Sequence, residues 1–154
     1  MRDVENAILQ IYDLKVDYGG IMTLDQAKPY LLSINEFIVI LTLNSHEKRK
    51  IGHYIVCYRI NQNEIVFFDS MGHDPMFYGL GSFLINNAIK TYTYSNAAIQ
   101  SKNSACCSYF CLYYIFKCFV KGISFKHFLN SFNHSTTLAN ERIVYDYVKN
   151  VYCF

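Results

Sequence analysis

Apolar and polar positions run through the chain in distinct rhythms. Near the N-terminus Val4, Ile8 and Ile11 follow helical spacing behind Asp3, which predicts a short helix capped by that aspartate, with Gly19 and Gly20 marking the loop after it. Phe37 to Leu43 is an unbroken, largely β-branched run, the pattern of a strand buried on both faces and central in its sheet. After the polar stretch Asn44 to Gly52, two more strand-like runs, His53 to Ile60 and Ile65 to Asp69, flank the tetrad Asn61-Gln62-Asn63-Glu64. An Asn-rich tetrad between such runs predicts a hairpin. Residues whose numbers sum to about 122 to 125 then face each other, which sets His53 and Asp69 opposite or one diagonal step apart. That separation is within reach of an imidazole–carboxylate hydrogen bond.

Further along, Ser82 to Lys90 has helical spacing, the Tyr/Thr alternation around Tyr92 is strand-like despite its polarity, and Ala97 to Ile99 forms a candidate short strand ending at Gln100. Cys107 to Val120 is apolar nearly all round, as a helix enclosed by the rest of a domain would be. Ser124 is placed to cap a helix carrying Phe125, Phe128, Leu129 and Phe132, and a last helix begins at Leu138 or Asn140 and runs through Ile143, Tyr147 and Val151. Helix, strands, helix, strand and then helices is an α+β order.

Length and composition narrow the picture. With 154 residues, 52% hydrophobic and 17% aromatic, the chain is expected to form one domain, residues 1–154, around a buried core. No repeat, linker or low-complexity segment divides it. The first ten residues interleave charges with apolar positions, so neither a secretory signal nor a transit peptide is expected. The longest apolar run, Ala105 to Val120, is interrupted by Lys117 and is short for a bilayer, which predicts a core helix and no membrane partner. Six cysteines then read as free thiols in a reducing compartment. A net charge of +2 gives DNA binding no support, and the cluster Lys48, Arg49, Lys50 reads as a solvated loop.

The segment Q-S-K-N-S-A-C-C-S-Y-F-C, Gln100 to Cys111, carries the candidate chemistry. Free N–H groups and the helix dipole favour a thiolate at a helix start, and a neighbouring imidazolium favours it further. Cys107 has that position. His53 is placed to exchange the proton, Asp69 to orient His53, and Gln100 to donate an N–H to an oxyanion beside the backbone N–H of Cys107. Cys57, Cys111 and Cys118 read as small core hydrophobes. Cys106, Cys107 and Cys111 with His73, His127 and His134 lack the paired spacing of a zinc site, so no metal and no cofactor is expected. His73, in M-G-H-D-P, reads as a loop residue bordering the cleft that competes with His53 for the role of base.

These residues resemble the adenovirus-type (adenain-like) cysteine proteases, particularly those of Polinton/Maverick elements and related viruses. The matching pieces are G-H-Y at Gly52 to Tyr54, F-F-D-S-M-G at Phe67 to Gly72, the segment from Gln100, and the tail G-I-S-F-K-H-F-L-N-S-F followed by N-E-R-I-V, together spanning roughly residues 20 to 150. The resemblance implies a papain-like spatial arrangement, with a central mixed sheet flanked by helices and the nucleophile at the N-terminus of a buried helix. It implies a thiol endopeptidase with His53, Asp69, Gln100 and Cys107 as its catalytic set. Cys107 is preferred over Cys106 because the family sets the nucleophile seven residues after the glutamine and before a small residue and an F-C or Y-C pair. The substrates implied are capsid or core precursors cut beside small residues such as glycine during virion maturation, in the virion or in host cytoplasm or nucleus.

Two readings stay beside it: a peptidase of ubiquitin-like modifiers, and an inactive partner-binding module. The chain departs from the family at Ser108, where glycine is common, and at Tyr54, where tryptophan is usual. Adenoviral members are activated by a viral peptide tethered through a cysteine between the acidic residue and the glutamine. Residues 70 to 105 contain no cysteine, so an activating peptide here would not be disulfide-tethered.

Overall fold

The computed structural model describes residues 2–47, 50–89 and 91–152, with Arg2 described by its backbone alone. Lys48 and Arg49 of the basic cluster, and Lys90, lie outside the described residues; Lys50 is exposed and paired with Glu47. The elements are α1 (Arg2–Leu9), β1 (Tyr18–Thr23), α2 (Leu24–Tyr30), β2 (Phe37–Leu41), β3 (Tyr54–Asn61), β4 (Glu64–Phe68), α3 (Leu80–Asn86), β5 (Thr91–Tyr94), α4 (Cys107–Ile115), α5 (Phe125–Asn130) and α6 (Thr137–Tyr152). A 3-10 turn, Pro75–Tyr78, precedes α3, and a π-helical turn, Phe116–Val120, extends α4. Among the described residues no helix is long and apolar enough to cross a membrane.

The five strands form one mixed sheet in the order β1-β2-β3-β4-β5. β1 and β2 are parallel, β2, β3 and β4 are successively antiparallel, and β4 and β5 are parallel. β2 lies inside the sheet, one place from its middle, which β3 occupies. Its alternation explains the unbroken apolar run. Phe37 and Val39 join Val56, Phe68 and the helices α1, α4 and α6 on one face, whereas Ile38 and Ile40 join Ile55, Cys57, Ile65, Phe67 and the helices α2 and α3 on the other. Hairpin register follows the Asn-rich turn: Val56 faces Phe68 and Cys57 faces Phe67, until a bulge before Asn61 shifts the last pair to Asn61–Glu64.

Several expectations are corrected. Gly19 and Gly20 are not a loop but lie within β1, whose register against β2 shifts between Tyr18 and Ile21, so the glycines form the irregularity that lets this edge strand pair. α2 follows directly, started by the Thr23/Gln26 capping box, with Pro29 in its last turn. Asp3 sits inside the first turn of α1. Ala97 to Ile99 is not a strand: the N–H groups of Ile99 and Gln100 both bond to the carbonyl of Ser70, at 2.9 and 3.0 Å, leaving no ladder to extend. α6 buries Asn140, Val144 and Val148 and leaves Ile143 and Val151 about half exposed, one position round from the expected stripe. Ser124 does cap α5, its Oγ accepting from the N–H of His127 at 3.2 Å.

Gly72 closes the turn after β4 in the left-handed region, φ +72°, where a Cβ would meet the backbone of Ala97 and Ala98 at 2.5–2.9 Å. Neither backbone can yield cheaply. Gly72→Ala is expected to cost about 3 kcal/mol, roughly 6–12 °C in Tm for a chain of this size. Gly79, φ +70° with only the Lys28 Nζ at 3.6 Å, is the control that carries conformational strain alone, and Gly79→Ala should cost about 1 kcal/mol. Equal melting temperatures for the two variants would contradict the close approach of the 69–72 turn to the 97–98 backbone.

Candidate active site

Three segments converge where β3 begins, β4 ends and α4 begins. His53 precedes β3 and is held by backbone bonds across to Thr42: its N–H reaches Thr42 Oγ1 at 3.1 Å, and its carbonyl accepts from the Thr42 N–H at 2.8 Å. Asp69 follows β4, and its Oδ1 lies 2.6 Å from His53 Nε2. The contact is diagonal, since Asp69 sits one residue beyond the Val56–Phe68 pair. With Nε2 engaged by Asp69, the other ring nitrogen is left for Cys107, to which His53 is hydrogen-bonded.

Burial disfavours the imidazolium, but the hydrogen bond to Asp69, the bond to Cys107 and their charges outweigh it and hold the pKa of His53 up at about 9. At Cys107 burial pushes the thiol up, and His53, with backbone bonds from Tyr54 and Ser108, reverses that and brings it below its ordinary range. Burial likewise opposes ionisation of Asp69, and is overcome by His53, Tyr78 and the N–H of Met71, so the carboxylate titrates low. The three groups therefore favour thiolate, imidazolium and carboxylate together. For Cys57 and Cys111 burial dominates and pushes both thiols up, in keeping with two core residues. Cys118, half-buried, is pushed up by burial to about 12.

Every residue of D-S-M-G has a local task. The N–H of Asp69 bonds to Ser95 Oγ at 2.9 Å, and that hydroxyl donates back to the Asp69 carbonyl at 2.5 Å. Met71 N–H reaches Asp69 Oδ1 at 2.7 Å. Ser70, fully buried, donates from Oγ to Gln100 Oε1 at 2.6 Å while its carbonyl takes the two N–H groups already described. Tyr78 donates to Asp69 Oδ2 at 2.7 Å. His73 lies in the loop after β4, with Nδ1 3.4 Å from Asp69 Oδ2.

Gln100, 2% exposed, is fixed at both ends: Nε2 donates to the Ser104 carbonyl at 2.9 Å and Oε1 accepts from Ser70. A carbonyl can only accept, so the amide's orientation is chemically determined, and one hydrogen on Nε2 remains for another acceptor. α6 braces this loop from behind. Glu141 accepts from the Ser101 N–H at 2.8 Å, and Asn140 Nδ2 donates to the Ile99 carbonyl at 3.1 Å. Cys106 occupies the N-cap of α4, its backbone N–H bonded to Ser104 Oγ at 3.2 Å, and its own side chain makes no capping bond among the described residues. Among the described residues no group of three or more His, Cys, Asp or Glu side chains is arranged to hold a metal ion.

The structure thus brings His53, Asp69 and Cys107 into one chain of contacts and joins Gln100 to the same turn through Ser70. Sequence reasoning missed Ser70, Ser95, Ser104 and Tyr78. Ser70 had a signal in standing directly beside Asp69 at a strand end. Tyr78 had none, because its role depends on the path of the 3-10 turn.

No protein-family model matches the chain, and no curated protein does. A solved structure to which it is similar is that of the ASFV pS273R protease, at 17% sequence identity and a TM-score of 0.37, covering 66% of this chain and 40% of that one. The chain therefore spans less than half the length of that protein, and a likeness of this degree says nothing about chemistry. The structure itself defines a mixed α/β protein with a five-stranded sheet and a cysteine, histidine and aspartate in contact at one end of it.

Proposed function

We propose that the protein is a thiol endopeptidase whose nucleophile is Cys107. The observation that carries the reading is the single imidazole of His53 shared between a buried carboxylate and a cysteine at a helix N-terminus. The thiolate attacks the scissile carbonyl carbon, and the developing oxyanion takes the free hydrogen of Gln100 Nε2 and the N–H of Cys107. As the C–N bond breaks, the proton on His53 passes to the leaving amine. Water then attacks the thioester, with His53 accepting its proton, and as the C–S bond breaks the acid product leaves and the thiolate–imidazolium pair is restored. Because the acylation step needs the imidazolium, activity is expected to fall as pH rises through about 9, the value at which His53 loses its proton.

The substrate class rests on the motif resemblance to adenovirus-type and Polinton-type proteases: structural precursor proteins of a virus or mobile element, cut beside small residues such as glycine. The test is cleavage of glycine-containing precursor fragments by the wild type and by Gln100→Ala. The variant should lose about 10²–10³-fold in kcat with KM nearly unchanged, and unchanged turnover would remove Gln100 from the mechanism. Cleavage of a ubiquitin-like fusion in place of the precursors would move the substrate assignment to modifier peptidases. A wild type that cleaves neither, and whose Cys107 resists alkylation at neutral pH, would leave the partner-binding module.

A further inference from the structure

Asp69 has two imidazoles within reach. His53 Nε2 lies 2.6 Å from Oδ1, and His73 Nδ1 lies 3.4 Å from Oδ2. A carboxylate's charge does not distinguish them, and an Asp69 drawn toward His73 through Oδ2 would share its charge with a second imidazole and weaken the Oδ1 bond that orients His53. Tyr78 stands at that second oxygen, its hydroxyl 2.7 Å from Oδ2 and 3.0 Å from His73 Nδ1. A phenol has one proton and a carboxylate only accepts, so the proton goes to Asp69 and the phenol oxygen accepts from His73 Nδ1–H. Burial, with the charge of Asp69, pushes Tyr78 far above the ordinary tyrosine range, so it remains a donor.

Both rings are held. His73 stacks on Phe77 with centroids 4.7 Å apart and planes 13° apart, and meets Tyr78 edge-on at 5.9 Å. The 3-10 turn carrying Phe77 and Tyr78 is anchored by Asp74, whose Oδ1 accepts from the Met76 N–H and from Tyr92 OH of β5, each at 2.8 Å. The groups facing Asp69 are therefore His53, His73, Tyr78 and the N–H of Met71, with Cys107 beyond His53.

We propose that Tyr78 is a positioning residue that assigns Asp69 to His53: its hydroxyl occupies the carboxylate oxygen that His73 would otherwise take, and His73 serves to hold that hydroxyl. The inference rests on the peptidase reading for its consequence in catalysis, but its geometry is testable without a substrate. Tyr78→Phe leaves Oδ2 buried and open, and His73 closes on it. Deleting the competitor as well, in Tyr78→Phe/His73→Ala, returns Asp69 to His53.

Imidazole NMR of histidine-labelled protein tests this directly. In the wild type His73 should carry a proton on Nδ1; a His73 bearing its only proton on Nε2 would overturn the proposal whatever the variants do, because Tyr78 would then be donating to His73. In Tyr78→Phe the titration midpoint of His53 should fall by about one pH unit, tenfold in proton affinity, and the double variant should restore it. A double variant titrating no higher than the single one would overturn the competition. In catalysis the single variant should lose about tenfold in kcat with KM little changed, most of it regained in the double. If the titrations behave as expected while the wild type cleaves no peptide, the peptidase reading fails and the role of Tyr78 stands.

Discussion

Cys107→Ala is expected to abolish peptide hydrolysis, by on the order of 10⁴-fold or more, while Cys106→Ala keeps activity within about threefold of wild type. The two cysteines are neighbours in sequence but not in environment. Cys107 has the hydrogen bond to His53, the backbone bonds from Tyr54 and Ser108, and a thiol brought below its ordinary range against the pull of burial. Cys106 is the N-cap of α4 and borders a different hollow, lined by Leu138, Glu141, Arg142 and Tyr145 of α6. Truncating it removes one sulfur from a half-buried position and leaves the His53 contact untouched. Full activity in Cys107→Ala, with loss in Cys106→Ala, would reverse the assignment.

His53→Ala carries the second large effect, a loss of about 10³-fold or more in kcat/KM. In the proposed mechanism the imidazole has two functions and the variant removes both: the proton for the leaving amine, and the positive charge that favours Cys107 as a thiolate. Once His53 is gone, burial is the dominant influence left on the Cys107 thiol, and burial raises its pKa. Reactivity of Cys107 toward an alkylating agent at neutral pH should fall sharply in the variant and recover as pH rises, because burial then opposes the thiolate with only the backbone bonds from Tyr54 and Ser108 against it and no imidazolium. Asp69, deprived of the imidazolium that lowers it, should titrate higher in the same variant.

What the sequence disclosed, and what it did not, divides along the distance over which each feature is determined. The His53–Asp69 contact was legible because a hairpin is local: the tetrad Asn61 to Glu64 sets the register, and the register sets the pair. The buried helix from Cys107 was legible because an apolar surface all round can only be enclosed, although its change to a π-helical turn at Phe116 was not. β1 was hidden by Gly19 and Gly20, whose local preference for a loop is overridden by parallel pairing with β2, a partner more than a dozen residues away. The capping box Thr23/Gln26 was a readable sign of α2 that the glycines and Pro29 obscured. At the site, which residues meet was easier to read than what supports them. Ser70 and Ser95 work through contacts 30 and 26 residues distant in the chain, and Tyr78 works through a turn whose path no short-range pattern encodes.

The most direct measurement is site-resolved alkylation by iodoacetamide between pH 5 and 10, with each cysteine followed by peptide mass spectrometry in the wild type and in His53→Ala. The expected result is that Cys107 reacts at neutral pH ahead of Cys57, Cys106, Cys111 and Cys118, and that His53→Ala abolishes that reactivity below the ordinary thiol range. A wild type in which Cys106 is labelled first, or in which Cys107 reacts no faster at neutral pH than the buried Cys57 and Cys111, would contradict the claim that His53 and Cys107 form a reactive pair.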